Sequence, residues 1–333
     1  MRDVARLAGV SQSTVSRVLS DAPSSVPISE ATRARIFEAV EQLGYRPNMT
    51  ARSLRTQRTC MISVMIADIS NPFYHFIVRA IQHIARAHDY DVLIYNTDHR
   101  YDNERHFCEA VLRRPVDGVI MVPYHLTDDE LDALIRRAGV PVAVLGQHVR
   151  HPAVDVVFTD DEGGSAEAVR LLIRKRHRRI GYIGVEPSIG RGVELRRLLG
   201  YERALEEAGL AVDEALRQDG DFTPESGRRA MRALLALPDP PTAVFACNDL
   251  MALGAIDAAL SLGRRVPQDV AVVGFDNIPE ATLMRPYLTT VAQKPQEIGQ
   301  KLIEALLERM EGGVADGRRV FEIPYEIIER QST

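Results

Sequence analysis

Gln12, Ser13 and Arg17 fall within the stretch "DVARLAGVSQSTVSRVL", residues 3 to 19. At helical spacing they share one flank with Ser16, turned away from the apolar residues between them. A Gln amide makes two hydrogen bonds to an adenine edge and an Arg guanidinium two to guanine, while a Ser hydroxyl serves bases or phosphate. Near the start of a helix this is chemistry for reading a DNA major groove, although an ordinary solvated helix face carries similar residues.

A second group stands where β-rich runs stop. Tyr74 follows the first run, Phe222 lies in "GDFTPESG", Asn248 and Asp249 follow "AVFAC", and Asp276 follows "VVGF". In open parallel sheets small molecules bind outside the carboxyl ends of the strands. Aromatic rings there stack on a sugar face or a purine, and carboxylates accept hydrogen bonds from hydroxyls. Each residue has a plainer reading by itself: Asp276 as a turn residue, Phe222 as core. Their joint placement at strand ends favours a pocket.

The first group needs a small helical scaffold. Val4 and Ala8 share a face, Gly9 ends that helix, Ser11 caps the next, and Val15, Val18 and Leu19 repeat at helical spacing. A third helix is predicted from the Ser29 cap, closing the core with Ile36, Ala39, Val40 and Leu43 before Gly44. The pattern is a helix-turn-helix. In "YRPNMTARSLRTQRT", residues 45 to 59, Pro47 breaks the chain and Asn48 can cap a helix of about two turns, marginal alone in water. Leu54 on that basic segment has no core to enter, and an apolar side chain so placed can wedge between base pairs in a minor groove.

Charge follows the same division. The 333 residues carry −5 overall, but residues 1 to 58 hold nine Arg against five acids, +4, leaving −9 on the remainder. A basic head on an acidic body fits a polyanion-binding head. The run "RKRHRRI" at 174 to 180 is read instead as a helix end, where basic side chains complement the dipole. Asp160, Asp161 and Glu162 lack the interleaved spacing of a calcium loop and are expected to mark a passage between lobes.

The body from residue 61 alternates short apolar runs ("MISVMI", "DVLIYN", "GVIMV", "VAVL", "DVVF", "IGYI", "AVFA", "VAVVGF") with amphipathic helices. That predicts an α/β fold with parallel sheets covered on both faces, in two lobes. The three cysteines, Cys60, Cys108 and Cys247, have no metal-ligand spacing and are expected to be reduced thiols of a cytoplasmic protein. No leader pattern and no apolar run of about 20 residues is present, so neither secretion nor a membrane is expected.

"DVARLAGVSQSTVSRVL" followed by "RPNMTARSL", then "NPFY" at 71 to 74, "NDLMALGAI" at 248 to 256 and "VPQDVAVVGFDN" at 266 to 277, resembles the LacI/GalR (lactose-repressor) family of bacterial transcription regulators over essentially the whole chain. The resemblance implies a helix-turn-helix domain at 1–45, a hinge helix at 46–58 and an effector-binding, dimerising body at 59–333. It gives the body the two-lobed fold of periplasmic sugar-binding proteins, lobe 1 at about 59–158 and 291–319, lobe 2 at about 159–289 and 321–333, with passages near 158–161, 288–293 and 318–322. Gln12, Ser13 and Arg17 match base-reading positions, Asn48, Ala51 and Leu54 the hinge helix, and Arg191 and Arg197 positions that face the effector. Arg197 and Asp276, both planar and able to bond twice, suit adjacent hydroxyls or a nucleobase edge. The function implied is a repressor that binds a palindromic operator as a homodimer under control of a small molecule, a carbohydrate-like metabolite being the commonest class. Two features depart from the family: only Met1 and Arg2 precede Asp3, so helix one is expected to be poorly capped, and "SDAPSSVPIS" is about three residues longer than usual.

A solute-binding protein without a regulatory role would fit the body but not residues 1 to 58. An enzyme is the third reading. Nine His and the strand-end carboxylates could support acid–base work, yet there is no nucleophile elbow, Walker loop or G-x-G-x-x-G opening a βαβ unit, so no catalytic role, cofactor or metal is expected.

Overall fold

The computed structural model describes residues 1–20, 27–45, 58–189, 193–312 and 317–333. By internal contacts the chain divides into Met1–Thr59 and Cys60–Thr333.

The first unit contains α1 (Arg2–Ala8), α2 (Gln12–Ser20) and α3 (Glu30–Gln42). Helix α1 has no side-chain cap at Met1, as expected, and closes at Gly9, whose φ of 66° is cheap only for glycine. Ser11 Oγ accepts from the Thr14 amide at 3.1 Å and starts α2; Ser29 Oγ accepts from the Thr32 amide at 3.3 Å and starts α3. Val4, Ala8, Val15, Val18, Ile36 and Ala39 form the buried core. Leu43 does not join it. Helix α3 stops at Gln42, Leu43 becomes its C-cap at 46% exposure, and Tyr45 packs against the core instead. The long loop at 21–26 and the segment with Asn48, Ala51 and Leu54 lie outside the described residues.

The second unit holds two sheets. The first takes β1 (Met61–Ile66), β2 (Asp91–Asn96), β3 (Gly118–Met121), β4 (Val142–Leu145), β5 (Val154–Phe158) and β11 (Val320–Glu322) in the order β11-β5-β4-β3-β1-β2. The second takes β6 (Ile180–Val185), β7 (Arg217–Gly220), β8 (Ala243–Ala246), β9 (Ala271–Asp276), β10 (Thr289–Ala292) and β12 (Glu326–Ile328) in the order β12-β10-β9-β8-β6-β7. All pairings are parallel except β10 with β12. The central strands are buried throughout because helices cover both faces, and apolar apart from Asp155 in β5.

Among the described residues four helices serve lobe 1: α4 (Pro72–Ala87), α5 (Tyr101–Arg113), α6 (Asp128–Ala138) and α11 (Pro295–Met310). Lobe 2 has α7 (Asp161–Arg174), α8 (Val193–Glu207), α9 (Pro224–Leu235) and α10 (Asp249–Ser261). Helix α11 returns from β10 to pack on β3, β4, β5 and α4. Gly299 permits that approach, since a Cβ there would lie 2.5 Å from the Ile77 carbonyl oxygen. Asp155 of β5, fully buried, accepts from Arg309 Nε at 2.9 Å and Arg319 Nε at 3.0 Å, tying α11 and the start of β11 to the sheet.

Sheet membership corrects the expected lobe boundaries. The chain passes between sheets at 159–160, 293–294 and 323–325. The first lies between the end of β5 and the start of α7. The other two come later because Thr289–Ala292 must complete its pairing with β9, and Val320–Glu322 its pairing with β5, before the chain leaves either sheet. The basic run at 174–179 ends α7: Arg174 pairs with Glu167, Lys175 with Glu329 and Arg179 with Asp213.

Candidate functional site

In the head, Gln12 and Ser13 occupy the first turn of α2 and Arg17 its next, all three exposed, while Val15 and Val18 face the core. The Ser11 hydroxyl that caps the helix also lies 2.7 Å from Ser13 Oγ. The cap therefore holds the polar face at the helix start, where a side chain can reach a base edge.

In the body a cavity opens at the carboxyl ends of the strands of both sheets. Tyr74, Tyr124, Gln147 and Thr159 line it from loops and helix starts that follow lobe 1 strands, with Asp161, Arg197, Phe222 and Asp276 from lobe 2 and Gln293 from the passage between them. Its free volume is about 50 Å³, far below the roughly 300–1,000 Å³ of ligand pockets. The lobes are therefore closed on each other in this structure and must part to admit a molecule of several carbons.

Arg197 anchors the lobe 2 wall. Its Nε donates to Asp161 Oδ1 at 2.9 Å, Nη1 donates to the Cys247 carbonyl, Nη2 lies 3.6 Å from Asp276 Oδ1, and its plane rests 3.8 Å from the Phe275 ring centroid. Burial opposes its charge, but Asp161 and Asp276 outweigh burial and raise its pKa, so it is always cationic. Asp276 moves the other way: burial pushes its carboxyl up to about 7, with Arg197 and the Gln293 amide, 2.8 Å away, pulling down and Asp249 pushing up. Gln147 Oε1 and Thr159 Oγ1 are buried against the cavity with no hydrogen-bond partner among the described residues. A buried polar atom left so costs about 1–3 kcal/mol, which a bound hydroxyl or amide would relieve.

Tyr74, Arg197, Phe222 and Asp276 thus meet at one cavity. Asn248 and Asp249 stand behind it. Asn248 Oδ1 caps α10 at the Met251 amide while its amide donates to the Phe222 carbonyl at 3.0 Å. Asp249 accepts from Thr290 Oγ1 at 2.6 Å and the Ile278 amide at 2.9 Å. Both side chains hold the loops that carry the lining residues. Arg191 lies outside the described residues. Sequence reasoning passed over Tyr124, Gln147 and Thr159, although each follows a β-rich run and the strand-end rule covers them. It also passed over Glu104, whose buried carboxylate accepts the amides of Tyr124, His125 and Leu126 at 2.7, 3.1 and 3.0 Å and fixes the loop bearing Tyr124. Nothing local in "YDNERHF" marks that role.

A head whose described residues form three helices with a polar recognition face, and a two-lobed body with a closed cleft, define the class, a DNA-binding regulator with a small-molecule module. Residues 1–48 match the family model of bacterial regulatory proteins, lacI family, and residues 169–333 that of a periplasmic binding protein-like domain. Catabolite control protein A of Priestia megaterium is 36% identical over 333 residues, 99% of this chain and 98% of that protein. The HTH-type transcriptional repressor CytR of Escherichia coli strain K12 is 37% identical over 336 residues, 100% of this chain and 96% of that one. Among solved structures, the lac repressor dimer bound to operator and the anti-inducer ONPF superposes with a TM-score of 0.86 at 28% identity, and the CelR–cellobiose complex with 0.74 at 33%; each covers 99% of this chain and 98% of the other. The chain belongs to the LacI family. It is a DNA-binding transcriptional repressor with an effector-controlled, periplasmic-binding-protein-like body, and its relatives are regulators, not enzymes.

Proposed function

We propose that two copies of this chain bind a palindromic operator, with Gln12, Ser13 and Arg17 reading bases in the major groove and the segment of Asn48, Ala51 and Leu54 engaging the minor groove. The lac repressor is solved as an operator-bound dimer, and a two-fold protein reads a two-fold site. An exposed edge supports pairing: β2 ends the lobe 1 sheet with Leu93 at 46% and Ile94 at 39% exposure beside a groove along α4. Water-facing apolar residues on an unpaired edge strand call for a partner.

The effector is a neutral, hydroxyl-rich metabolite of the sugar class, held by Arg197, Asp276, Tyr74 and Phe222, with Arg191 as a further contact. The single observation that carries this reading is the pair of buried, unpartnered acceptors Gln147 Oε1 and Thr159 Oγ1 facing the same cavity as Arg197 and Asp276. CelR is solved with cellobiose, which fits the same chemistry. A purine or nucleoside is the alternative that the rings of Tyr74, Tyr124 and Phe222 favour. Effector binding changes how the lobes close, and DNA affinity follows because both ligands share one conformational equilibrium. No helix among the described residues is long and apolar enough to cross a membrane; action in the cytoplasm is part of the proposal.

The test is a thermal-shift screen of sugars, sugar acids and nucleobases on the full chain, followed by anisotropy titrations with genomic fragments with and without each hit. A hit that raises the melting midpoint and changes operator affinity supports the reading. A protein that binds all fragments alike, or hits confined to acids, overturns it.

A further inference from the structure

Loops after the corresponding edge strands of the two sheets meet across the mouth of the cleft. His99 follows β2 in lobe 1, and Phe222 follows β7 in lobe 2. Their rings stack at 4.8 Å between centroids and 22° between planes, and Tyr124 packs edge-on to His99 at 4.7 Å. Both loops hold strained backbone for it: Asp98, His99 and Phe222 have φ of 51°, 53° and 68°, a region that side-chain-bearing residues seldom occupy.

Both ring nitrogens of His99 are buried, and neither has a hydrogen-bond partner among the described residues. Acids stand nearby, but their oxygens are turned into their own loops. Asp68 accepts from the Ser70 amide at 2.8 Å, Asp98 from the Asn96 amide group, and Asp221 from the Thr223 amide at 3.1 Å. His125, on the β3–α6 loop, donates through Nε2 to the His99 carbonyl at 2.8 Å and so is engaged with the backbone of His99. A protonated His99 would place two donors in this site with nothing to receive them. A cation over the Phe222 face gains some attraction, but less than a buried unpaired charge loses in hydration.

We propose that His99 is a positioning residue for cleft closure, its neutral imidazole latching lobe 1 onto Phe222 of lobe 2 and its protonation parting the lobes. The latch belongs to the two lobes and does not depend on what the cleft binds. Burial holds the closed-state imidazole down at about 4 against the pull of Asp68, Asp98 and Asp221, with His125 adding to the depression. With the lobes parted the ring is solvated and titrates near the ordinary 6.5. Closure therefore releases a proton: the closed form is favoured in full above 6.5 and loses ground as pH falls toward 4. Linkage gives an open-to-closed ratio about tenfold higher at pH 5.5 than at 7.5.

The chain contains no tryptophan, so Phe222→Trp gives a one-tryptophan protein that reports on the latch itself. Its emission is expected to shift to the red between pH 7.5 and 5.0, and to stay fixed when His99→Phe, which keeps a stacking ring without a titrating group, is added. Other groups at or behind the cleft are shifted as well: burial pushes Asp276 up to about 7, Asp249 up to about 6 and Asp161 upward, and holds His148 down with Arg196 adding to it. They are common to both proteins and cancel. A flat profile in the first protein, or the same shift in both, overturns the latch. Small-angle scattering on the parent and on H99F alone, neither carrying the reporter, decides any disagreement: the radius of gyration grows on acidification in the parent only, and growth in both or in neither rejects the proposal.

Discussion

Arg197 Nε lies 2.9 Å from Asp161 Oδ1, with both side chains buried in the wall of the cleft. Removing the guanidinium strands Asp161 and leaves Asp276 with only its Gln293 bond in low dielectric. Breaking a buried pair from one side costs about 3–5 kcal/mol, so R197A is expected to lower the unfolding free energy from chemical denaturation by that order and to abolish the effector-induced thermal shift. R197K keeps the charge but not the planar fork that reaches Asp161, Asp276 and the Cys247 carbonyl together. It should fall between parent and alanine in stability, and an R197K protein with a full effector response would remove the fork from the mechanism.

Asp276 gives the body a pH dependence of defined sign. Its carboxyl titrates near 7 folded against 3.8 as its ordinary value, mainly because it is buried. Between those values the folded protein holds an extra proton, so this contribution to stability falls as pH rises through the window. From pH 6.5 to 8 the linked loss is about 1 kcal/mol, or roughly 2–4 °C of melting midpoint for a body of this size. D276N cannot titrate there. Calorimetry of both proteins from pH 6.5 to 8 should show a steeper alkaline decline in the parent, with all histidines contributing equally to each; parallel curves would mean Asp276 is ionised throughout.

A second buried acid tests the opposite sign. Asp155 is clasped by Arg309 and Arg319, which hold its pKa below the ordinary value although burial works the other way. Its contribution is complete above about 3.8 and disappears only as pH falls below that. D155A leaves two partly buried guanidinium groups without their shared acceptor, and chemical denaturation at pH 7 should show a loss of about 3–5 kcal/mol. Because β5, α11 and β11 are all tied by this one carboxylate, hydrogen exchange should rise first in those three elements. Uniform loosening across both lobes would contradict a local clasp.

The apolar periodicities made the helices of the head and eight of the strands legible, because burial on one or both faces is written directly into residue type. The strand β7, "RQDG", was not legible: it is an edge strand with little buried side-chain surface, placed by pairing with β6 and not by its own composition. The same holds for β11 and β12, three residues each, which are strands because the chain must pass between the sheets. In the cleft, strand ends pointed to Tyr74, Phe222 and Asp276, and the family resemblance to Arg197. Asn248 and Asp249 share that placement yet bond to loop backbone and Thr290, since a strand end offers one side to the cavity and the other to the neighbouring loop. His99 and Glu104 draw their meaning from partners across the fold, Phe222 and the 124–126 amides, which no local pattern encodes.

The head invites a test that separates base reading from simple attraction to phosphate. Arg17 is exposed on the α2 face that also bears Gln12 and Ser13. If it bonds twice to a guanine edge, R17A should weaken operator binding by about 1–3 kcal/mol and lose discrimination at one base pair per half-site. The slope of affinity against salt should stay close to that of the parent, because a base contact releases no phosphate counterion. A minor-groove wedge behaves differently. L54A should lower affinity for every sequence that retains the operator's deformable centre while leaving the preferred bases unchanged. Anisotropy titrations of both variants against the operator and its single-base substitutions, at three salt concentrations, distinguish the two roles. An R17A protein with a shallower salt slope and intact base preference would reassign Arg17 to the phosphate backbone, and an L54A protein with altered base preference would place Leu54 against a base edge instead of between base pairs.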